Sequence, residues 1–138
     1  MDTPFRHEPA SRLEASLRAG RFVFTTEITP PVSCAADELL RKALPLRGLA
    51  DAVNVTDGAS ARTHMSALAA AAILARNGIE PVLQLACRDR NRIALAADLI
   101  GAAACGIHNL LLLTGDDPTA GDEPDAKPVF DLDARSLD

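Results

Sequence analysis

The sequence is poor in aromatic residues and has no long apolar run. It contains four Phe and neither Tyr nor Trp, which argues against a stacking platform for bases or sugars. No apolar stretch approaches the ~20 residues of a membrane span. The start, residues 1–10, lacks the charged and apolar regions of a secretory signal. The absence of both signals predicts a cytoplasmic protein without a membrane partner.

The charge pattern also lacks a basic block. The formal net charge is −5 and Lys and Arg are spread along the chain, so an electrostatic grip on nucleic acid or anionic lipid is not expected. The glycine-rich phosphate loops GxGxxG and Walker A are absent as well. A small molecule that binds by another route is therefore the favoured partner.

Cysteine and histidine are few and scattered. The three cysteines include no CxxC pair, so neither a disulfide framework nor a zinc site is predicted, and we expect small, mostly buried thiols: Cys34, Cys87 and Cys105. The three histidines have no cysteine or carboxylate neighbours at ligand spacing. No metal site is predicted.

Four short apolar runs of β character alternate with helical segments. At 138 residues the chain has the size of one domain. The runs cover residues 22–28, 52–56, 81–86 and 109–114, with starts roughly 30 residues apart, the length of a βα unit. Helices are predicted over 11–18, 35–44, 62–77 with Ser60 before it, and from Asn91 to near Gly106. This order predicts a parallel sheet, either an open doubly wound sheet or part of a (βα)8 barrel.

Polar residues within the strands favour the barrel. Glu27, Asn54 and Gln84 fall in runs that would be apolar if helices covered both faces of the sheet. We therefore predict an α/β fold, a partial (βα)8 TIM barrel with about four parallel strands and helices outside. Residues 1–138 form one domain, with a leading helix in 1–20. An acidic, proline-rich loop and the start of the next helix occupy 117–138.

Candidate functional residues lie where the strands end, because sites in α/β sheets form beyond the carboxyl ends of strands. Glu27 is a partly desolvated carboxylate suited to general acid catalysis; alternatively it is a structural carboxylate paired with an arginine. Asp116 can stabilise a developing cation, or it forms a turn beside Gly115 and Pro118. Thr56 offers a hydroxyl to a cofactor or is structural.

Four strand-end segments in this order resemble the methylenetetrahydrofolate reductase family. They are TEITPP at 26–31, VNVTDGA at 53–59, PVLQLACRD at 81–89 and LLTGDDP at 112–118, followed by DAKPVFDLD at 125–133. Each segment is weak alone, but together they match the amino-terminal half of that family's barrel.

The resemblance implies FAD at the carboxyl face of the barrel, reduced by NADH or NADPH. The flavin would reduce 5,10-methylenetetrahydrofolate to 5-methyltetrahydrofolate, the methyl donor for methionine synthesis. By position, Glu27 resembles the acid that assists ring opening, and Asp116 resembles the carboxylate that contacts the pterin. The positions that resemble flavin contacts are Thr56, Gln84, Thr114 and Gly115. Many relatives have His where this sequence has Gln84.

Length separates this chain from a whole barrel, which needs ~250 residues. We therefore expect the amino-terminal part of a reductase, completed by a complementing polypeptide or by the rest of its own gene, with a homo-oligomer as the other expected assembly. Two alternatives stay open: a half-barrel that dimerises and binds folate or flavin, and an inactive fragment that self-associates.

Overall fold

The computed structural model describes residues 7–137 and alternates helices with strands. The predicted domain span of 1–138 includes residues 1–6 and 138, which lie outside the described part. Short 3-10 turns occupy Leu44–Leu46, Ala59–Ala61, Pro118–Ala120 and Ala134–Leu137. The main elements are α1 (Arg12–Arg18), β1 (Thr25–Ile28), α2 (Ala36–Ala43), β2 (Ala52–Val55), α3 (Ala67–Arg76), β3 (Pro81–Ala86), α4 (Arg92–Ala104) and β4 (Asn109–Leu113).

The four strands form one parallel sheet in the order β1-β2-β3-β4. A doubly wound sheet would reverse its strand order, whereas sequential order with right-handed crossovers puts the connecting helices on one face. The predicted partial α/β barrel is therefore confirmed, and the doubly wound alternative is excluded for the described residues.

The core lies between this sheet and α2, α3 and α4. The helix-facing strand residues Val53, Val55 and Leu83 are fully buried against Leu39 of α2 and Leu74 of α3. Small residues make close approach possible, since the face of α3 against the sheet also carries three buried alanines: Ala67, Ala70 and Ala71. Apolar burial of this kind is the main stabilising term of the fold.

The opposite face of the sheet carries the polar strand residues. Because side chains alternate along a strand, Glu27, Asn54 and Gln84 point away from the helices that cover Ile28 and Val55. Asn54 donates its side-chain amide to the Thr26 carbonyl oxygen at 3.2 Å. The polar inner face expected for a barrel is present.

Several predicted boundaries need correction. The helix predicted over 62–77 begins only after Ser66, whose hydroxyl accepts a hydrogen bond from the Ala69 amide, so the predicted role of Ser60 before the helix is wrong. The first strand begins at Thr25 rather than residue 22. Cys34 and Cys105 are exposed, so only Cys87 is the buried thiol expected.

The predicted cap of α4 is confirmed, whereas the helix start predicted within 117–138 is not found in the described residues. Asn91 caps α4 through the Ile93 and Ala94 amides, as predicted. Within 117–137 the chain forms loops and two of the 3-10 turns rather than the start of an α-helix. Among residues 7–137, no helix combines the length and the apolar character required to cross a membrane.

Candidate functional site

A cavity of about 310 Å³ opens at the carboxyl ends of the strands. The residues that line it come from all four strand ends, although they are up to 89 positions apart in the sequence, from Glu27 to Asp116. The lining includes every residue that the sequence singled out, namely Glu27, Thr56, Gln84, Thr114, Gly115 and Asp116. Their convergence was predicted; their chemical roles stay predictions.

Glu27 and Gln84 are joined across the inner face of the sheet. The Gln84 Nε2 group donates a hydrogen bond to Glu27 Oε2 at 2.9 Å. Gln84 is buried, whereas Glu27 is exposed, so the expectation that the Glu27 carboxylate is partly desolvated is wrong. Among the described residues, the arginine partner considered for Glu27 is absent, because its recorded hydrogen bond comes from an amide.

Thr56 lines the cavity and carries a hydroxyl that is itself buried. Its side chain is 6% exposed, and within residues 7–137 its Oγ1 atom is buried without a hydrogen-bond partner. Leaving a buried hydroxyl unpaired costs about 1–3 kcal/mol. A ligand that forms a hydrogen bond with this atom would recover that cost.

Asp116 and Gly115 are held by their surroundings. The Asp116 carboxylate accepts a hydrogen bond from the Ser60 amide at 3.0 Å. Gly115 has φ +101°, and a Cβ there would lie 2.8 Å from the Arg88 Cβ. Gly115 is therefore required by backbone conformation and close packing, whichever ligand binds nearby.

Arg88 is a cavity residue that sequence reasoning did not single out. Its guanidinium is buried and pairs with the Asp89 carboxylate through two hydrogen bonds of 2.8 Å. The hydrogen bonds that Arg88 donates to Asp89 raise the pKa of Arg88 above its usual value. The sequence shows that Cys87, Arg88 and Asp89 follow β3. It does not show that the Arg88 side chain lines the cavity.

A second arginine fixes the loop that carries Asp57. Arg90 donates to Asp57 Oδ2 at 2.6 Å and to Asp98 at 2.7 Å. Asp57 Oδ2 also accepts the Ala86 amide at 2.8 Å. These contacts tie the end of β2 to the end of β3, so the cavity wall is built from fixed elements.

No group of three or more His, Cys, Asp or Glu side chains within residues 7–137 is arranged to hold a metal ion. The acidic residues of the cavity are instead engaged with amides and guanidinium groups, as for Asp116 and Asp57.

Comparison with known proteins agrees with this geometry. A family model described as methylenetetrahydrofolate reductase matches residues 12–136. A search of curated proteins returned no match. Since the matched region includes all four strands and every lining residue of the cavity, the chain belongs to the methylenetetrahydrofolate reductase family.

Proposed function

We propose that this protein carries the acid and pterin side of a flavin-dependent reduction of 5,10-methylenetetrahydrofolate to 5-methyltetrahydrofolate, with NADH or NADPH as the electron source. Family membership gives the coarse function, an oxidoreductase of folate one-carbon metabolism. The observation that carries the finer proposal is the cavity in which Glu27, Asp116 and the unpaired Thr56 hydroxyl meet.

Glu27 supplies the proton in this proposal. The methylene carbon of the substrate bridges two nitrogens, and one C–N bond must break before the carbon can accept a hydride. A protonated Glu27 gives its proton to the departing nitrogen, and the electrons of the broken bond stay on that nitrogen. The carbon is left as an iminium cation on the other nitrogen, and hydride addition converts it to the methyl group.

Asp116 stabilises that cation. Its carboxylate is oriented by the Ser60 amide and lines the same cavity as Glu27. A negative charge held in place before the reaction lowers the energy of a developing positive charge without reorganisation. The two carboxylates therefore have different roles, one as proton donor and the other as electrostatic partner.

The proposed cofactor of this reduction is FAD, held in part by residues of the cavity. Bound FAD would accept a hydride from the nicotinamide and pass it to the folate. The Thr56 hydroxyl, buried and unpaired within the described residues, would hold a polar atom of that group.

A flavin titration of the purified chain tests this proposal, with absorbance spectra recorded for each half-reaction. Wild type should bind FAD, accept electrons from NADH or NADPH and return them to 5,10-methylenetetrahydrofolate. Glu27→Gln should bind flavin but lose roughly 10²–10⁴-fold in the folate step. Glu38→Gln, at an exposed position of α2, is the matched control and should behave as wild type. An equal folate rate in Glu27→Gln would exclude Glu27 as the acid.

A second candidate is a self-associating binding module. In the described sheet, β1 and β4 are the outer strands, and each leaves one edge unpaired. Leu110 and Leu111 of β4 and Phe24 before β1 are exposed along these edges, a pattern that favours pairing with another chain. Sedimentation with and without FAD separates the candidates: a dimer that binds flavin or folate without turnover favours the module, and turnover favours the reductase.

A further inference from the structure

The bond between Gln84 and Glu27 is not required by the pairing of strands. β1 and β3 are not neighbours, and each is already paired with β2 through its backbone. Asn54, which lies level with Glu27 in the register, turns its amide to the Thr26 carbonyl instead. Among the described residues, Gln84 is therefore the side chain that donates to Glu27.

Gln84 is also a costly residue at its position. It is the sole glutamine of the sequence and lies in the buried strand PVLQLA, whose other five residues are apolar. Burial of an amide within an apolar strand disfavours folding unless its polar atoms find partners. Gln84 meets this requirement by donating to the predicted acid, which makes it a candidate for a role in the reaction.

The bond distinguishes the two oxygens of Glu27. A carboxylic acid has one protonated oxygen and one that only accepts, and an amide N–H needs the accepting one. With Gln84 donating to Oε2, the proton of the acid form resides on Oε1. Within the described residues, Oε1 has no hydrogen-bond partner of its own and is free to face a substrate.

We propose that Gln84 is a positioning residue that assigns the transferable proton of Glu27 to Oε1 and aims that oxygen at the substrate nitrogen. This inference rests on the proposed function, because it assumes that Glu27 is the acid. It adds a residue that acts through Glu27 rather than by touching the reacting atoms.

Gln84→Met tests the assignment, since methionine has a similar length and no N–H donor. The folate half-reaction should slow by roughly tenfold to a hundredfold, because a displaced acid loses rate steeply, and the nicotinamide half-reaction should slow less. Asn54→Leu removes an amide from the same face without touching Glu27 and should leave the ratio of the two rates as in wild type. Gln84→His retains a ring N–H and should recover part of the loss.

A double-mutant cycle separates positioning from general damage. In the Glu27→Gln background no proton donor is left to aim, so adding Gln84→Met should cause no further loss in the folate step. An equal loss in both backgrounds would overturn the inference while leaving the proposed function intact. A wild type without any folate step would overturn the proposed function and this inference together.

Selective 15N labelling of glutamine gives a readout that is independent of activity. The label marks only Gln84, so its side-chain amide yields one pair of proton signals. Replacing Glu27 with Met should bring the two signals together and speed their exchange with water. Signals that do not respond to this change would show that the bond is absent in solution, which overturns the inference.

Discussion

The Ser60 amide donates a hydrogen bond to the Asp116 carboxylate at 3.0 Å, and this bond ties the loop after β2 to the loop after β4. A second link of the same kind joins the Thr63 amide to Asp122 at 2.9 Å. The two bonds together link the loop after β2 to the chain after β4, and the orientation of Asp116, which lines the cavity, depends on a loop 56 residues away in the sequence.

Ser60→Gly should stabilise the protein. Ser60 has φ 58°, in the left-handed region that costs a non-glycine residue about 1 kcal/mol or more. Glycine relieves this cost but gains freedom in the unfolded chain, so we expect the free energy of unfolding to rise by up to about 1 kcal/mol in urea titrations. Ser66→Ala, which removes the α3 cap, should lower it by about 1 kcal/mol. A loss in Ser60→Gly as large as that in Ser66→Ala would contradict this reading of the loop.

The contrast between Ser60 and Ser66 shows where sequence reasoning stops. Both serines precede an alanine-rich segment, and propensity alone cannot decide which one starts the helix. The choice depends on a tertiary contact, the hydrogen bond from the Ser60 amide to Asp116. This bond holds residue 60 near the loop after β4, so the helix begins only after Ser66. The alternation of strands and helices along the chain, by contrast, followed from local patterns repeated in the sequence.

The candidate site, too, was predicted from the sequence only in part. Strand-end position predicted that Glu27, Thr56, Gln84 and Asp116 would meet, because parallel strands end at one edge. It could not predict that Gln84 bonds Glu27 rather than a ligand, since that depends on two side-chain conformations two strands apart. Nor could it predict that Arg88 turns back to line the cavity.

Asp57→Ala should destabilise the protein clearly. Asp57 accepts hydrogen bonds from the Arg90 guanidinium and from the Ala86 amide, and its side chain is 10% exposed. Removing it leaves the buried Ala86 amide unpaired and leaves Arg90 with only Asp98 and the Ala86 carbonyl oxygen as partners, which costs about 2–3 kcal/mol. Chemical denaturation should show this loss, whereas Asp131→Ala, at the exposed pair with Arg92, should change stability far less. Similar losses in both variants would mean that Asp57 is not structural.

Glu80 lies directly before β3, at the end of the sheet opposite the cavity. It should make the free energy of unfolding depend on pH. Burial raises the pKa of Glu80, but hydrogen bonds from the Leu13 amide, the Asn109 side chain and Arg12 outweigh it, so the pKa is lowered from 4.5. A lowered folded-state pKa gives stability that is present above the unfolded value and lost as pH falls through the folded value.

Glu80→Gln removes that dependence. The variant should be less stable than wild type at pH 7, and the gap should narrow as the pH falls below 4.5. Urea midpoints between pH 7 and pH 3 measure the gap, with exposed Glu38→Gln as control. A gap that widens in acid would show that the hydrogen bonds from α1 and Asn109 do not favour the carboxylate.

Thr56→Val should act in opposite directions on the free and the flavin-bound protein. Valine has the same shape without the hydroxyl, so it removes a buried atom that is unpaired among the described residues. The free protein should gain about 1 kcal/mol of unfolding free energy. If the hydroxyl serves FAD, the variant should bind it roughly fivefold to tenfold more weakly, the loss of one hydrogen bond. Thermal unfolding with and without FAD measures both effects, and Thr29→Val, outside the cavity lining, is the matched control. A gain in stability with unchanged flavin affinity would make Thr56 a structural residue and move the flavin contact elsewhere in the cavity.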